Sequence, residues 1–231
     1  MTIGPKDQPR TPTLSLQGLS ANEEDSMRAI ESQLGTLSGQ WRRVLSDLGM
    51  LNYAYRQIDL LQKRKDEPDV LDSIHTMFDW VEIALRDAAM TIHDFKKAMF
   101  QIKNILDNVA ALKAAMDYPL FLNTATQLYP KHFPDAKKTR NAAGHPVDIM
   151  NTKKRNQTKG TFKVEGYGTI RPTNMFVGNV YNQTMTTHID GQMVSITLSS
   201  EAVTKLKEVL ELIFQSFASC DPLNQHLRNM K

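Results

Sequence analysis

The sequence predicts a mainly α fold of the α+β class: an antiparallel helical bundle with two long helices and a small antiparallel β-hairpin or meander inserted before the last helix. Three observations predict it. Apolar residues recur at steps of three and four along residues 27–58 and again along 74–109. A short charged break carrying a proline joins the two runs. Segments rich in β-branched residues, punctuated by Gly, Asn and Asp, appear only late in the chain.

Residues 1–21 are rich in Pro, Thr, Ser and Gly and show no period, so they are expected to be a flexible tail. The first stripe then runs Met27, Ile30, Leu34, Leu37, Trp41, Val44, Leu48, Leu51, Tyr55 and Ile58. This is one face of a long helix, or of two helices in register. Gly35, Gly39 and Gly49 argue against a single unbroken one. Asn22 is the expected N-cap, and Glu23, Glu24 and Asp25 suit the positive end of the helix dipole.

"QKRKDEPD" (62–69) breaks the pattern. Pro68 fits the first turn of a second helix, with Asp66 or Glu67 ahead of it. The second stripe is Ile74, Phe78, Val81, Leu85, Ala88, Ile92, Phe95, Met99, Ile102, Leu106 and Val109. Two such stripes with a short connection fold back as an antiparallel pair.

Residues 117–138 read as shorter helical pieces cut by Pro119, Pro130 and Pro134. A further short helix carries Arg140 and ends by Gly144, because His145 precedes Pro146 and that position disfavours the α region. "TFKVEGYGTI", "NMFVGNV", "TMTTHI" and "QMVSITL" follow as strand segments, and Asp190-Gly191 marks a hairpin turn. Ser199 or Ser200 caps a last helix with Val203, Leu206, Leu210, Ile213 and Phe217 on its apolar face. The expected organisation is a tail (1–21), a helical bundle (22–151), a β excursion (152–198), a C-terminal helix packing on the bundle (199–220) and a frayed end (221–231).

Bulk composition excludes several classes. The hydrophobic fraction of 41% and charged fraction of 23% fit a globular protein rather than a disordered one. One cysteine, Cys220, rules out a disulfide framework and a cysteine zinc site. The charged, proline-bearing N-terminus does not read as a signal peptide, and no apolar run reaches the ~20 residues of a membrane span. A cytoplasmic protein is expected, in which the Asn156 and Asn182 sequons carry no glycan. There is no P-loop, no dinucleotide fingerprint and no His-x-x-x-His pair. No cofactor and no metal are expected.

What remains is "RNAAGHP" (140–146), with Arg140 and His145 five positions apart. On an unbroken helix five residues turn ~500°, which leaves the two side chains ~140° apart. Unwinding at Gly144 lets His145 leave the helical track and swing towards Arg140. The pair suits a phosphodiester. Arginine offers a fixed charge and a planar fork of donors. Histidine gives or takes a proton near neutral pH. Asn141 either orients the pair or hydrogen-bonds the backbone. Between Lys131 and Lys159 eight Lys or Arg face two acids, so this strip carries +6 in a chain of +3. Lys137, Lys138, Lys153, Lys154 and Arg155 are its candidate nucleic-acid contacts.

A helical bundle with Arg-Asn-x-x-x-His late in the chain resembles the HEPN superfamily, whose motif is Arg, four to six residues, then His, often with a polar residue after the arginine. The likeness covers roughly residues 22–151. It implies a metal-independent endoribonuclease, usually a homodimer with its two motifs facing across the interface. Many members are instead non-catalytic binding modules, or toxins and defence factors. Arg86-Asp87…His93 fits the same spacing within the second stripe, where surface polar residues are the plainer reading. The 140–145 copy is preferred because it follows the long helices, has the Asn and sits in the basic strip. Three readings stay open: an RNA-cleaving enzyme using Arg140, Asn141 and His145; a binding module for RNA or a protein partner; and a helical scaffold.

Overall fold

A computed structural model describes residues 8–64, 66–144, 162–164, 168–170, 179–181, 183–189 and 192–223. The described chain is mainly helical. Helix α1 spans Ala21–Gln62 without interruption. Its cap is Ser20, not Asn22: the Ser20 amide donates to Glu23 Oε2 at 3.0 Å and its hydroxyl donates to the same oxygen at 2.8 Å. This Ser-x-x-Glu arrangement satisfies an amide that the helix itself leaves unpaired. The same two bonds hold the Glu23 carboxyl below the usual carboxylate range. A Cβ built on Gly35, Gly39 or Gly49 meets nothing within 4 Å. No close packing requires glycine there, and the buried stripe carries the helix through all three.

Helix α2 spans Val70–Leu106. It starts two residues after Pro68 because Asp69 takes a left-handed backbone at φ 63°, which a right-handed helix cannot include. The Asp69 carbonyl accepts from both the amide and the hydroxyl of Ser73. Before it, Arg64 bonds Glu67 and holds that carboxyl low. Nearly every stripe residue of both helices is buried, with Trp41, Leu51, Leu85 and Phe95 among the largest. Three departures stand out. Met27 is half-buried. Ala54 is buried where Tyr55 was expected and Tyr55 is half-buried; Phe78 is 46% exposed.

Contacts divide the described residues into two compact units: those within Met1–Val44, Asp94–Pro134 and Glu201–Lys231, and those within Leu45–His93 and Asp135–Ser200. The first unit adds helices α3 (Ala110–Ala115), α4 (Tyr118–Asn123) and α5 (Tyr129–His132). Asp117 caps α4 by accepting from the Leu120 amide at 3.0 Å. A π-helical turn, Thr124–Leu128, joins α4 to α5, and the Tyr129 amide reaches back five residues to the Thr124 carbonyl. Pro130 is the reason: it has no N–H, and its ring would crowd the carbonyl four residues back in a normal turn. The last helix, Ser200–Ser216, buries Val203, Leu206, Leu210 and Ile213 in this unit, together with Val209 and Phe214. Phe95 stacks on Tyr129 at 6.1 Å, and Phe121 meets Phe217 edge-on at 6.0 Å. Burial pushes the Tyr129 hydroxyl well above its usual range.

Residues 8–16 are not free. The Ser15 amide donates to the Cys220 carbonyl at 3.0 Å, and the Leu14 amide donates to the Glu31 carboxylate. Leu14 is buried. Arg10 grips Asp221 with two bonds of 2.8 and 3.1 Å. The Asp221 side chain is only 2% exposed, so its charge needs this partner. The expected flexible tail is thus a strap over its described part, and Asp221 at the expected frayed end is its anchor.

The second unit holds helix α6 (Ala136–Gly144) and five short strands. β1 (Phe162–Val164) pairs antiparallel with β2 (Gly168–Ile170). β3 (Asn179–Tyr181), β4 (Thr184–Ile189) and β5 (Gln192–Thr197) lie in that order, with β4 and β5 in register from Thr184↔Thr197 to Ile189↔Gln192. Asp190 and Gly191, on which the turn expectation rests, lie outside the described residues. No helix among the described residues is long and apolar enough to cross a membrane.

Two stability outcomes follow from this packing. Arg10→Ala is expected to cost about 1–3 kcal/mol in chemical denaturation, because it strands a buried carboxylate. Gly39→Ala, with open space and helical backbone, is expected to stabilise by about 0.5–1 kcal/mol. A neutral Arg10→Ala would mean the strap carries no load.

Candidate functional site

The site is built on α6. Ala136, Thr139 and Ala143 form its buried row. The Thr139 hydroxyl donates to the carbonyls of Asp135 and Ala136 at 3.0 and 3.2 Å, so the one polar member of that row is satisfied. Arg140 follows Thr139 and falls on the border between the buried and exposed rows, where it is half-buried. Asn141 is exposed, and Arg140 Nη1 donates to its Oδ1 at 3.5 Å. That is the outer limit of a hydrogen bond, so the contact holds the guanidinium only weakly. Lys137 and Lys138 are exposed. Lys137 stands three and four residues before Arg140 and Asn141, the spacing of neighbours on one helix face. Lys138 makes an ion pair with Asp135 at 3.5 Å.

His145, Lys153, Lys154 and Arg155 lie outside the described residues, so α6 sets out the arginine half of the predicted site. The rival copy has a different setting. Arg86 lies within α2 and is ion-paired with Glu82 at 2.5 Å, which occupies its charge locally. No group of three His, Cys, Asp or Glu among the described residues is placed to hold a metal ion.

Sequence reasoning missed what supports α6. The helix lies against β4 and β5. Their base is tied to α1 by Gln183, whose amide donates to the Tyr55 hydroxyl at 3.4 Å and whose side chain donates to Asn52 Oδ1 at 3.2 Å. Gln183 has φ 64°, which turns the chain so that both bonds form. The Leu198 amide closes the open end of the pairing on the Gln183 carbonyl at 2.8 Å. Among the described residues β4 and β5 thus connect α6 to α1 through Gln183. No local signal marked Gln183, since its partners are about 130 residues away.

No protein-family model, no curated protein and no solved structure matches this chain.

Gln183→Ala is expected to cost about 0.5–1.5 kcal/mol. It should also speed amide hydrogen exchange in Thr184–Ile189 and along α6, leaving the α2 interior unchanged. Faster exchange in the strands with no change in α6 would contradict that connection.

Proposed function

We propose that this chain is a cytoplasmic, HEPN-like, RNA-associated protein in which α6 presents Arg140 to a phosphate. The single observation that carries the reading is the position of Arg140: half-buried at the edge of the helix, its guanidinium against Asn141, with exposed Lys137 and Lys138 beside it. Partial burial limits the motion of the fork and weakens water's screening of its charge, which favours a bidentate grip on phosphate oxygens. Lys137 and Lys138, with Lys153, Lys154 and Arg155 further along the strip, add attraction that does not depend on base sequence.

In the catalytic form of this reading His145 supplies proton transfer. An RNA 2′-hydroxyl loses its proton to the imidazole and attacks phosphorus. The bond to the 5′-oxygen breaks, and that oxygen takes up a proton as it leaves. Arg140 faces the charge that builds on the phosphoryl oxygens. Asn141 helps to aim Arg140. A two-fold homodimer that sets both Arg140–His145 pairs in one cleft belongs to the same proposal. So does the bundle of paired long helices with a β-hairpin before the last one. The alternative is a module that binds RNA or a protein partner without turnover.

The test has two arms. The full chain is expected to bind single-stranded RNA in EDTA, with affinity falling as salt rises. Lys137→Ala should lower the slope of log K against log salt by about 0.7. Arg140→Ala should weaken binding further. In the catalytic form His145→Ala stops cleavage in EDTA and keeps binding; binding with no cleavage selects the non-catalytic form. A chain that does not bind RNA at low salt overturns the proposal.

A further inference from the structure

The strip around α6 is basic, but residues 66–85 are the reverse. They hold Asp66, Glu67, Asp69, Asp72, Asp79 and Glu82, and no Lys or Arg. The start of α2 accounts for Asp69 and Asp72, which sit at the positive end of its dipole. Arg64 accounts for Glu67, and Arg86 for Glu82. Asp79 is more than two turns into the helix and is exposed.

On α2 the positions 72, 76, 79, 80 and 83 recur at steps of one, three and four, which gathers them on the side opposite the buried stripe. All five are exposed, and two of them are large and apolar: Trp80 is 39% exposed and Ile83 56%. Tyr53 of α1 extends this row. Its ring lies 6.1 Å from that of Trp80 and it is 50% exposed. Leu60 continues the α1 side one step beyond Arg56, the cationic neighbour of the row. Single exposed apolar residues are ordinary on a protein surface. A Tyr–Trp–Ile row flanked by Asp72 and Asp79 is a patterned surface.

We propose that this face docks a basic amphipathic segment of another protein, with apolar side chains on Tyr53, Trp80 and Ile83 and Lys or Arg on Asp72 and Asp79. Charge selects this occupant. A second copy pairing through the same face would set Asp72 and Asp79 against their own counterparts, which costs rather than gains free energy. RNA would bring phosphates to a carboxylate-lined surface. A basic amphipathic segment meets both the apolar row and the charge. The surface is made of α1 and α2 residues and none of α6, and the inference does not rest on the RNA reading.

The experiment titrates the full chain with an 18-residue amphipathic peptide of Leu and Lys, and with its Leu and Glu counterpart, following tryptophan emission. Trp41 is buried and serves as a constant reference, so a blue shift reports Trp80. The Lys peptide should bind and shift the emission, and the Glu peptide should not. Ile83→Ala should weaken binding about tenfold, and the Asp72→Asn, Asp79→Asn double variant should weaken it about fivefold and flatten its salt dependence. Circular dichroism checks that these surface variants stay folded. Failure of the Lys peptide to bind, binding indifferent to the substitutions, or equal binding of both peptides overturns the proposal. So does a sedimenting dimer that Ile83→Glu dissociates, or an RNA oligonucleotide that shifts Trp80 emission.

Discussion

Everything in this molecule depends on covering the apolar rows of α1 and α2. Each large side chain taken out of water there contributes about 1.5–3 kcal/mol. Trp41, Leu51, Leu85 and Phe95 are all fully buried. That driving force overrides local preference. It carries α1 through three glycines that would end a less committed helix. It also sets the duties of the smaller elements. In one unit Phe95 stacks on Tyr129 of α5, Phe121 of α4 meets Phe217, and the N-terminal strap buries Leu14. In the other, α6 lies against β4 and β5, and Gln183 ties their base to Tyr55 and Asn52 of α1.

The strap shows how a polar contact is fixed by the apolar frame. Asp221 follows the buried Cys220 and cannot reach water. Its carboxylate is tolerable because Arg10 meets it with two donors and the Leu223 amide donates a third bond at 3.1 Å. Burial also raises the Cys220 thiol above its usual range, against the smaller opposing effect of its contact with Ser219. The chemistry proposed for the chain lies elsewhere, on α6, where packing leaves Arg140 at the border of the interior.

The long-range plan of the helices was legible because it is written in periodicity, which needs no knowledge of distant residues. The stripes from Ile30 to Ile58 and from Ile74 to Leu106 identify buried positions almost one for one. Ends were less legible. Asn22 and Ser20 are both good caps, and only the position of Glu23 decides for Ser20. Pro68 suits a first turn, but the left-handed Asp69 moves the start to Val70. The strap, the Gln183 anchor and the exposed Tyr53–Trp80 pair depend on partners far away in sequence, so no local pattern announces them. At the candidate site the sequence picks out α6 and its arginine. The reach of that arginine to Asn141, and the contact of α6 with β4 and β5, come only from the folded chain.

The functional account reduces to one claim, that Arg140 and His145 engage the same phosphate. Nitrogen-15 NMR of the full chain, titrated with a short single-stranded RNA, reads both groups at once. The account predicts that the Arg140 Nε resonance and the His145 ring resonances shift together and saturate at one RNA concentration. A shift at Arg140 with His145 unmoved contradicts the catalytic pairing, and no shift at either contradicts the phosphate site itself.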